Sequence, residues 1–583
     1  MARGTAQRIA LGLLVGLGLG LAAGCGSGGS SSAGASAGSG SAGSGSAGSG
    51  SAGSGSAAPR PSAATGPLAY AAAMAGTVGN VEAAVPPMCY TRTGGASNPC
   101  WVCHTRGTGR TSLDDSELQR EYAFSTVALE NHWRNLFVDR RPFIAGVSDD
   151  EILRWVRTDN YGPLRAAMAA LPASYSGFRP DLDLSRGFDE HGLARDGSGW
   201  RAVRFHPFPG AFWPTNGSTS DVFIRLPDKF RKTADGAPSA EIYRLNLSLV
   251  EAAISVLDYG TKAVDREIEP VDERLGGADL DGDGALGDGT ARVRKLPRTY
   301  AGGAAGVAIV PQAFPLGTEL LHSVRYLDPD APTVMAARLK ELRYMRKIED
   351  PDDWGRQRAY AEEAEDKTAG KLPVYQGDFE VGLITPWGWQ LQGYIEDKAG
   401  ALRLQTDEEH RFCMGCHGHL GVTIDQTFSI ARKVPGAAGW RPQDLRGLAD
   451  RPQVGHPAPE LVVYFSRVQG GDETRSNEEL RARFFPGGKL AEAELRRAAV
   501  GGDRDLAWAL VPTRARALAL DKAYLAIVRE QSFVRGRDAM LAPATRVHER
   551  ITEAGTGLGE RGAPEARVHR DGRLHLDWRA RGR

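Results

Sequence analysis

Two hydrophobic periods run along the chain, one of helical spacing and one of strict alternation. Ser148 followed three residues later by Glu151 reads as a capping box, opening a helix with Ile152, Trp155 and Val156 on one face. Glu241 to Tyr259 carries apolar positions at helical spacing through Ile242, Leu245, Leu249, Ala253 and Val256. Thr333 to Ile348, Gln357 to Lys371, Asn477 to Phe485, Leu490 to Val500 and Arg514 to Gln531 predict further helices. Trp200 to Leu226 is aromatic and rich in Pro and Gly, predicting short strands and ordered loops. Thr318 to Tyr326 alternates with one face buried, and Tyr375 to Ile395, with its Trp387-Gly388-Trp389, reads as strands. A hairpin is predicted in Val568 to Trp578, about Asp571-Gly572. The expected fold class is mainly α, with small β-sheets and long ordered loops.

The N-terminus follows other rules. Arg3 and Arg8 precede an apolar run from Ile9 to Ala23, about 15 residues against the roughly 20 that span a bilayer. This fits the apolar region of a secretory signal. The run ends Leu21-Ala22-Ala23-Gly24-Cys25, which resembles the bacterial lipobox, with Ala22 where Leu is usual. That resemblance implies cleavage before Cys25 and lipidation of its sulfur. Residues 26–65 are almost entirely Gly, Ser and Ala, with Ser-Ala-Gly-Ser-Gly repeated from Ser36 to Gly55. Such a segment cannot bury enough area to offset its entropy, and its reach is roughly 35 Å, the span of a tether. The expected organisation is 1–25 signal peptide, 26–65 tether, 66–235 first haem region, 236–372 helical intermediate region, 373–550 second haem region and 551–583 polar tail with a hairpin. The expected location is exported and lipid-anchored to a bacterial membrane, the outer membrane by preference.

Charge and cysteine content narrow the function classes. Lys+Arg and Asp+Glu both total 71, a formal charge of zero that argues against a nucleic-acid binder, which would need a net basic face. Six cysteines in 583 residues are too few for a disulfide scaffold, but four of them form two close pairs.

Those pairs carry the chemistry. Cys100-Trp101-Val102-Cys103-His104 and Cys413-Met414-Gly415-Cys416-His417 repeat one Cys-x-x-Cys-His pattern. At this composition one chance match is expected about 0.001 times, so two are not accidental. Cysteines three apart can form thioethers to the two vinyl groups of one haem, and the adjoining histidine supplies the iron's proximal nitrogen. Zinc would want four ligands, and each motif offers at most three. A redox dithiol would follow a strand in a βαβ unit, which neither motif does. Thr406-Asp407-Glu408-Glu409 reads as a capping box leading into the second motif. The motifs resemble the attachment sites of c-type cytochromes, and the large exported chain distantly resembles di-haem peroxidases and rubber oxygenases. The resemblance implies cytochrome c-like haem regions embedded in a larger body, with two covalent haem c groups on Cys100, Cys103, His104, Cys413, Cys416 and His417. The 313 residues between the motifs exceed the spacing usual in the peroxidase and oxygenase families.

Candidate distal ligands are His322, in the alternating stretch, His206, between prolines and aromatics, and His132, 28 residues after His104. The alternative for His322 is a hydrogen-bonded core histidine. Asp279-Leu280-Asp281-Gly282-Asp283-Gly284 resembles the start of an EF-hand loop, which implies Ca²⁺ on Asp279, Asp281 and Asp283. The twelfth position is Thr290 rather than Glu, with Asp288 as a substitute ligand. The function expected is electron transfer to a redox partner protein or a membrane electron carrier, with a lipid bilayer as second partner. The alternative is a di-haem oxidoreductase with one open iron site, whose catalytic residues the sequence does not identify.

Overall fold

The computed structural model describes residues 66–91, 110, 124–257, 259–260, 263–369, 371, 374–418, 422–468, 477–552 and 575–580, all within one unit, Pro61–Arg583. The signal region, the tether, Cys25, the first motif at 100–104 and the hairpin turn at Asp571-Gly572 lie outside the described residues.

Ten strands are present among the described residues: β1 (Arg201–Val203), β2 (Thr219–Arg225), β3 (Ala263–Val271), β4 (Thr290–Lys295), β5 (Glu319–Leu327), β6 (Met335–Lys347), β7 (Gln376–Asp378), β8 (Gly382–Ile384), β9 (Trp389–Glu396) and β10 (Leu402–Leu404). Eight of them form one antiparallel sheet in the order β1-β2-β5-β6-β9-β8-β7, with β10 also on β9, while β3 and β4 pair separately. The helices that flank the sheet or lead into the second motif include α1 (Asp149–Arg157), α2 (Tyr161–Ala169), α3 (Ala240–Ile254), α4 (Asp353–Thr368), α5 (Asp407–Cys416) and α6 (Arg514–Glu530).

This architecture corrects the expectation of a mainly α protein with cytochrome c-like regions. The body is built on a large antiparallel sheet. The decisive segment is β6, which replaces the helix expected there. Its sequence, MAARLKELRYMRK, is rich in helix formers, yet it pairs with β5 on one side and β9 on the other. Helix propensity differs among these residues by only a few tenths of a kcal/mol. Two hydrogen-bonded ladders and two covered faces outweigh it.

Register assigns the faces. The rows Phe223–Leu321–Tyr344 and Leu342–Tyr394–Leu404 lie on one side, packed with α2, Trp200 and Phe178, whose ring stacks on Tyr344 at 3.7 Å. The rows Val222–His322–Arg343–Gly393 and Ile224–Leu320–Met345–Leu391 lie on the other. One irregularity breaks the alternation. Val324 pairs with Glu341 but Arg325 with Leu339, so Lys340 is the extra residue of a bulge.

Most other elements match their sequence signals. Ser148 caps α1 by accepting from the Glu151 N–H at 3.1 Å. Asn477 caps a helix at Glu478–Phe484, and α6 runs from its Thr513 cap. The segment predicted amphipathic at 241–259 is α3, buried on nearly every side because β3 and the 300–314 loop cover its second face.

Beside the bulge, Glu396 of β9 is buried, accepting from the Tyr326 hydroxyl at 2.5 Å and from Arg338 at 2.9 Å. Burial pushes its carboxyl up to about 8, against the pull of these partners. Its folded pKa lies above its unfolded one, so its contribution is complete below about pH 4.5 and is lost as pH rises through 8. Glu396→Gln is therefore expected to flatten the fall in urea midpoint between pH 5 and 8 relative to the native chain. An unchanged slope would show that another group governs it.

Candidate functional site

The second motif ends α5, and the start of that helix is fixed before any ligand is considered. Thr406 and Glu409 form the complete predicted capping box, at 3.2 and 2.9 Å. Arg403 of β10 then clamps Glu409 through two 2.9 Å bonds. Burial raises the Glu409 carboxyl, but Arg403 overrides it and holds it down at about 2.

The N-terminal segment lies along the same helix. Glu408 accepts from the Gly79 and Asn80 N–H groups at 2.7 and 2.9 Å, and Arg411 donates to the Val81 carbonyl at 3.3 Å. Trp133 donates to the Val85 carbonyl at 3.0 Å and packs its ring 4.5 Å from that of Phe412. Gly415, inside the motif, faces the Ala84 carbonyl so closely that a Cβ would stand 1.7 Å from its oxygen. Only glycine admits this contact.

The motif opens onto a cavity of about 680 Å³ between the helix end and the His322–Arg343 face of the sheet. Cys413, Cys416 and His417 line it from one side and His322, Arg343, Phe212 and Leu320 from the other. His417 donates its Nδ1 hydrogen to the Gln426 carbonyl at 2.8 Å, and its ring meets Phe428 edge-on at 5.7 Å. That bond fixes the tautomer and leaves Nε2 as the nitrogen able to bind a metal. Burial pushes His417 down to about 4, so the ring is neutral at physiological pH. His322 contacts the edge of Phe212 at 4.9 Å. Burial first, then the charges of Arg343 and His417, hold it well below the usual histidine range. Two neutral imidazoles, from two elements far apart in sequence, thus share one cavity with two thiols.

The Gln426 carbonyl is presented by a strained turn. Ile424 and Thr427 exchange backbone bonds at 3.1 and 3.0 Å across Asp425 and Gln426, whose φ values are 50° and 58°. A two-residue turn of this type favours Asn-Gly, and each other residue costs about 1–2 kcal/mol in that conformation. Asp425 offsets this by accepting from Lys347 at 2.5 Å and from the Phe314 N–H at 2.8 Å. Arg110 also approaches it, at 3.9 Å.

The other sequence candidates sit elsewhere. His206 is buried in a core network, accepting from Arg432 at Nδ1, 2.9 Å, and donating to Asp450 from Nε2, 3.3 Å, so both nitrogens are engaged. His132 directs Nε2 to the Val127 carbonyl at 3.1 Å. Cys89 lines the cavity. Asp279 and Asp281 gather with Glu273, their carboxylate oxygens within 4.8 Å of one another, whereas Asp288 faces Arg274 at 3.5 Å. Backbone N–H groups of the loop already engage Asp279, Asp281, Asp283 and Glu273. Sequence reasoning missed Glu273, the Asp425-Gln426 turn and the cationic side chains Lys340, Arg343 and Arg537. Arg343 and Arg537 both reach Glu341, at 2.9 and 2.7 Å.

A family model described as a "-like lipoprotein" matches residues 161–494, more than half of the chain. An uncharacterized lipoprotein of Aquifex aeolicus (strain VF5) is 31% identical over 517 residues, covering 79% of this chain and 86% of that relative. No solved structure matches. The chain belongs to this lipoprotein family, whose members are exported and lipid-anchored. This corrects the recognition made from the two motifs. The chain is not identified with the c-type cytochromes, nor with the di-haem peroxidases and rubber oxygenases, because its likeness to them stops at five residues per motif.

Gly415→Ala is expected to destabilise the chain by about 1–3 kcal/mol, the usual cost of overpacking, because its new methyl meets backbone. Gly306→Ala, where a Cβ meets nothing within 4 Å, is the control. Equal urea midpoints for the two variants would contradict the packing described.

Proposed function

We propose that this lipoprotein is an extracytoplasmic electron carrier that would hold haem covalently at Cys413 and Cys416, with His417 and His322 as the residues that would bind its iron. The observation that carries the reading is the neutral His417, its Nδ1 committed to Gln426, facing His322 across a cavity that also holds both thiols. The fit is chemical as well as spatial. The lining is largely apolar, with Phe212, Phe428 and Leu320, and charged side chains of both signs also line it. When bound, haem supplies a one-electron iron couple. The chain's own work is to hold the ring, keep both imidazoles neutral and exclude water. With both histidines on the iron no position would remain open to a substrate, and this supports a carrier over an oxidoreductase with an open iron site. Cys100, Cys103 and His104 repeat the same donor set and would hold a second haem. The segments flanking that motif end at this site: Cys89 lines the cavity and Arg110 lies beside Asp425.

In the same reading Cys25 carries the lipid, the outer membrane is the anchoring membrane, and residues 26–65 let the body reach a redox partner protein or a membrane electron carrier.

Pyridine haemochrome assay of the purified chain is expected to give two haems, and of Cys413→Ser one. His322→Ala is expected to convert one low-spin signal to high-spin. A chain without covalent haem would refute the carrier. A high-spin, peroxide-consuming haem in the unmodified protein would replace it with the oxidoreductase. Cys25→Ala is expected to move the protein from the membrane fraction to the soluble one, and equal retention would remove the anchor assigned there.

A further inference from the structure

The cavity has a second chemical feature that iron ligation does not use. The bulge in β6 turns Lys340 onto the cavity wall, on the same side as Arg343. Lys340 is 1% exposed. It donates to the Gly217 carbonyl at 2.5 Å and to the Ser218 hydroxyl at 3.2 Å, and lies 4.1 Å from the centre of the Tyr524 ring. Among the described residues no carboxylate lies within ion-pair distance of it. A buried ammonium with no carboxylate in contact is costly, and burial lowers Lys340 to about 8 against the pull of Asp521, Glu396, Glu341 and Asp538, which act on it from farther off. Tyr524 also lines the cavity, is 2% exposed, and its hydroxyl has no hydrogen-bond partner among the described residues. Nearby, Arg343 and Arg537 share the single carboxylate of Glu341. At this part of the wall Lys340, Arg343 and Arg537 stand with the carboxylates of Glu341 and Asp538 and with a hydroxyl that has no partner among the described residues.

We infer that Lys340, Arg343, Arg537 and Tyr524 form an anion site for a carboxylate or a small oxyanion. This deepens the carrier reading, because the ligand has two sources: the carboxylates of a haem in the cavity, or a free anion such as nitrite or acetate. A charged ligand would give Lys340 a counter-ion in contact, and Arg343 and Arg537 the second carboxylate that two guanidinium groups can share.

The test is a calorimetric titration of the full-length chain with sodium acetate and sodium nitrite. In Cys413→Ser/Cys416→Ser, which cannot attach haem at this motif, at least one anion is expected to bind. Affinity should fall about tenfold or more when Lys340→Met is added, the worth of one charge-assisted contact. It should fall less in Tyr524→Phe and persist in Lys340→Arg. In the unmodified, haem-loaded chain, lost binding assigns the site to haem carboxylates and retained binding to a free anion. No binding to the haem-free chain, or equal binding in Lys340→Met and Tyr524→Phe, overturns the site. A chain that never acquires haem would refute the carrier and leave this titration decisive for the anion site.

Discussion

The candidate site depends on one hydrogen bond, from His417 Nδ1 to the Gln426 carbonyl. It fixes which nitrogen of the ring is free, and it exists only because two residues accept a left-handed conformation to aim that carbonyl. The turn is braced by Asp425, and Asp425 by Lys347, the last residue of β6. The motif helix is thus registered against the large sheet through a short chain of polar contacts. The same strand brings Arg343 to the cavity and pairs it with His322. Strain of this kind persists only where its surroundings over-determine it, and it concentrates at functional positions.

A second constraint is electrostatic. The sheet face that meets the motif is not uniformly apolar: it holds His322, Lys340, Glu341 and Arg343 among Leu320, Val222 and Met345. Burying these groups without partners would cost several kcal/mol each, and a core of the same shape could have been built from aliphatic side chains. Glu341 is answered by Arg343 and Arg537, and Glu409 by Arg403, whereas Lys340 bonds only to Gly217 and Ser218, with no carboxylate in contact among the described residues, and His417 keeps Nε2 free of the Gln426 bond. That selective incompleteness separates a ligand cavity from a polar core. His206 illustrates the contrast, since Arg432, Asp450 and Glu460 surround it and no valence remains.

What can be read from the sequence tracks the range of the interactions involved. The caps at Ser148 and Thr406 are local and both appear where their spacing places them, the reciprocal box being complete only at Thr406. A strand forms at 319–327 as expected, but both of its faces are covered rather than one. The β6 segment reads as a helix because its helix-forming residues sit in a strand whose stability comes from β5 and β9, partners that a local pattern does not reveal. The bulge at Lys340 leaves no mark in composition, and the Asp425-Gln426 turn lacks the Asn-Gly signature that would reveal it. Of the three histidines singled out, one lines the cavity, and nothing in the residues around it distinguishes His322 from His206. The difference lies in what packs against each, Arg343 of the neighbouring strand in one case and a closed network of Arg432, Asp450 and Glu460 in the other.

Family membership and site chemistry answer different questions here. The lipoprotein family fixes export and anchoring, properties of the chain's N-terminus and of its relatives, and says nothing about what the folded body binds. The body's chemistry is set by groups that a membrane anchor does not need: paired thiols at a helix end, two neutral histidines across a cavity and a lysine with no carboxylate in contact among the described residues. A purely structural module would gain stability by filling that cavity with aliphatic side chains and closing the turn with Asn-Gly. Keeping a strained carbonyl on His417 and a buried ammonium at Lys340 is costly in the empty state. In the carrier reading, a metal-bearing, anionic ligand between them would offset both costs.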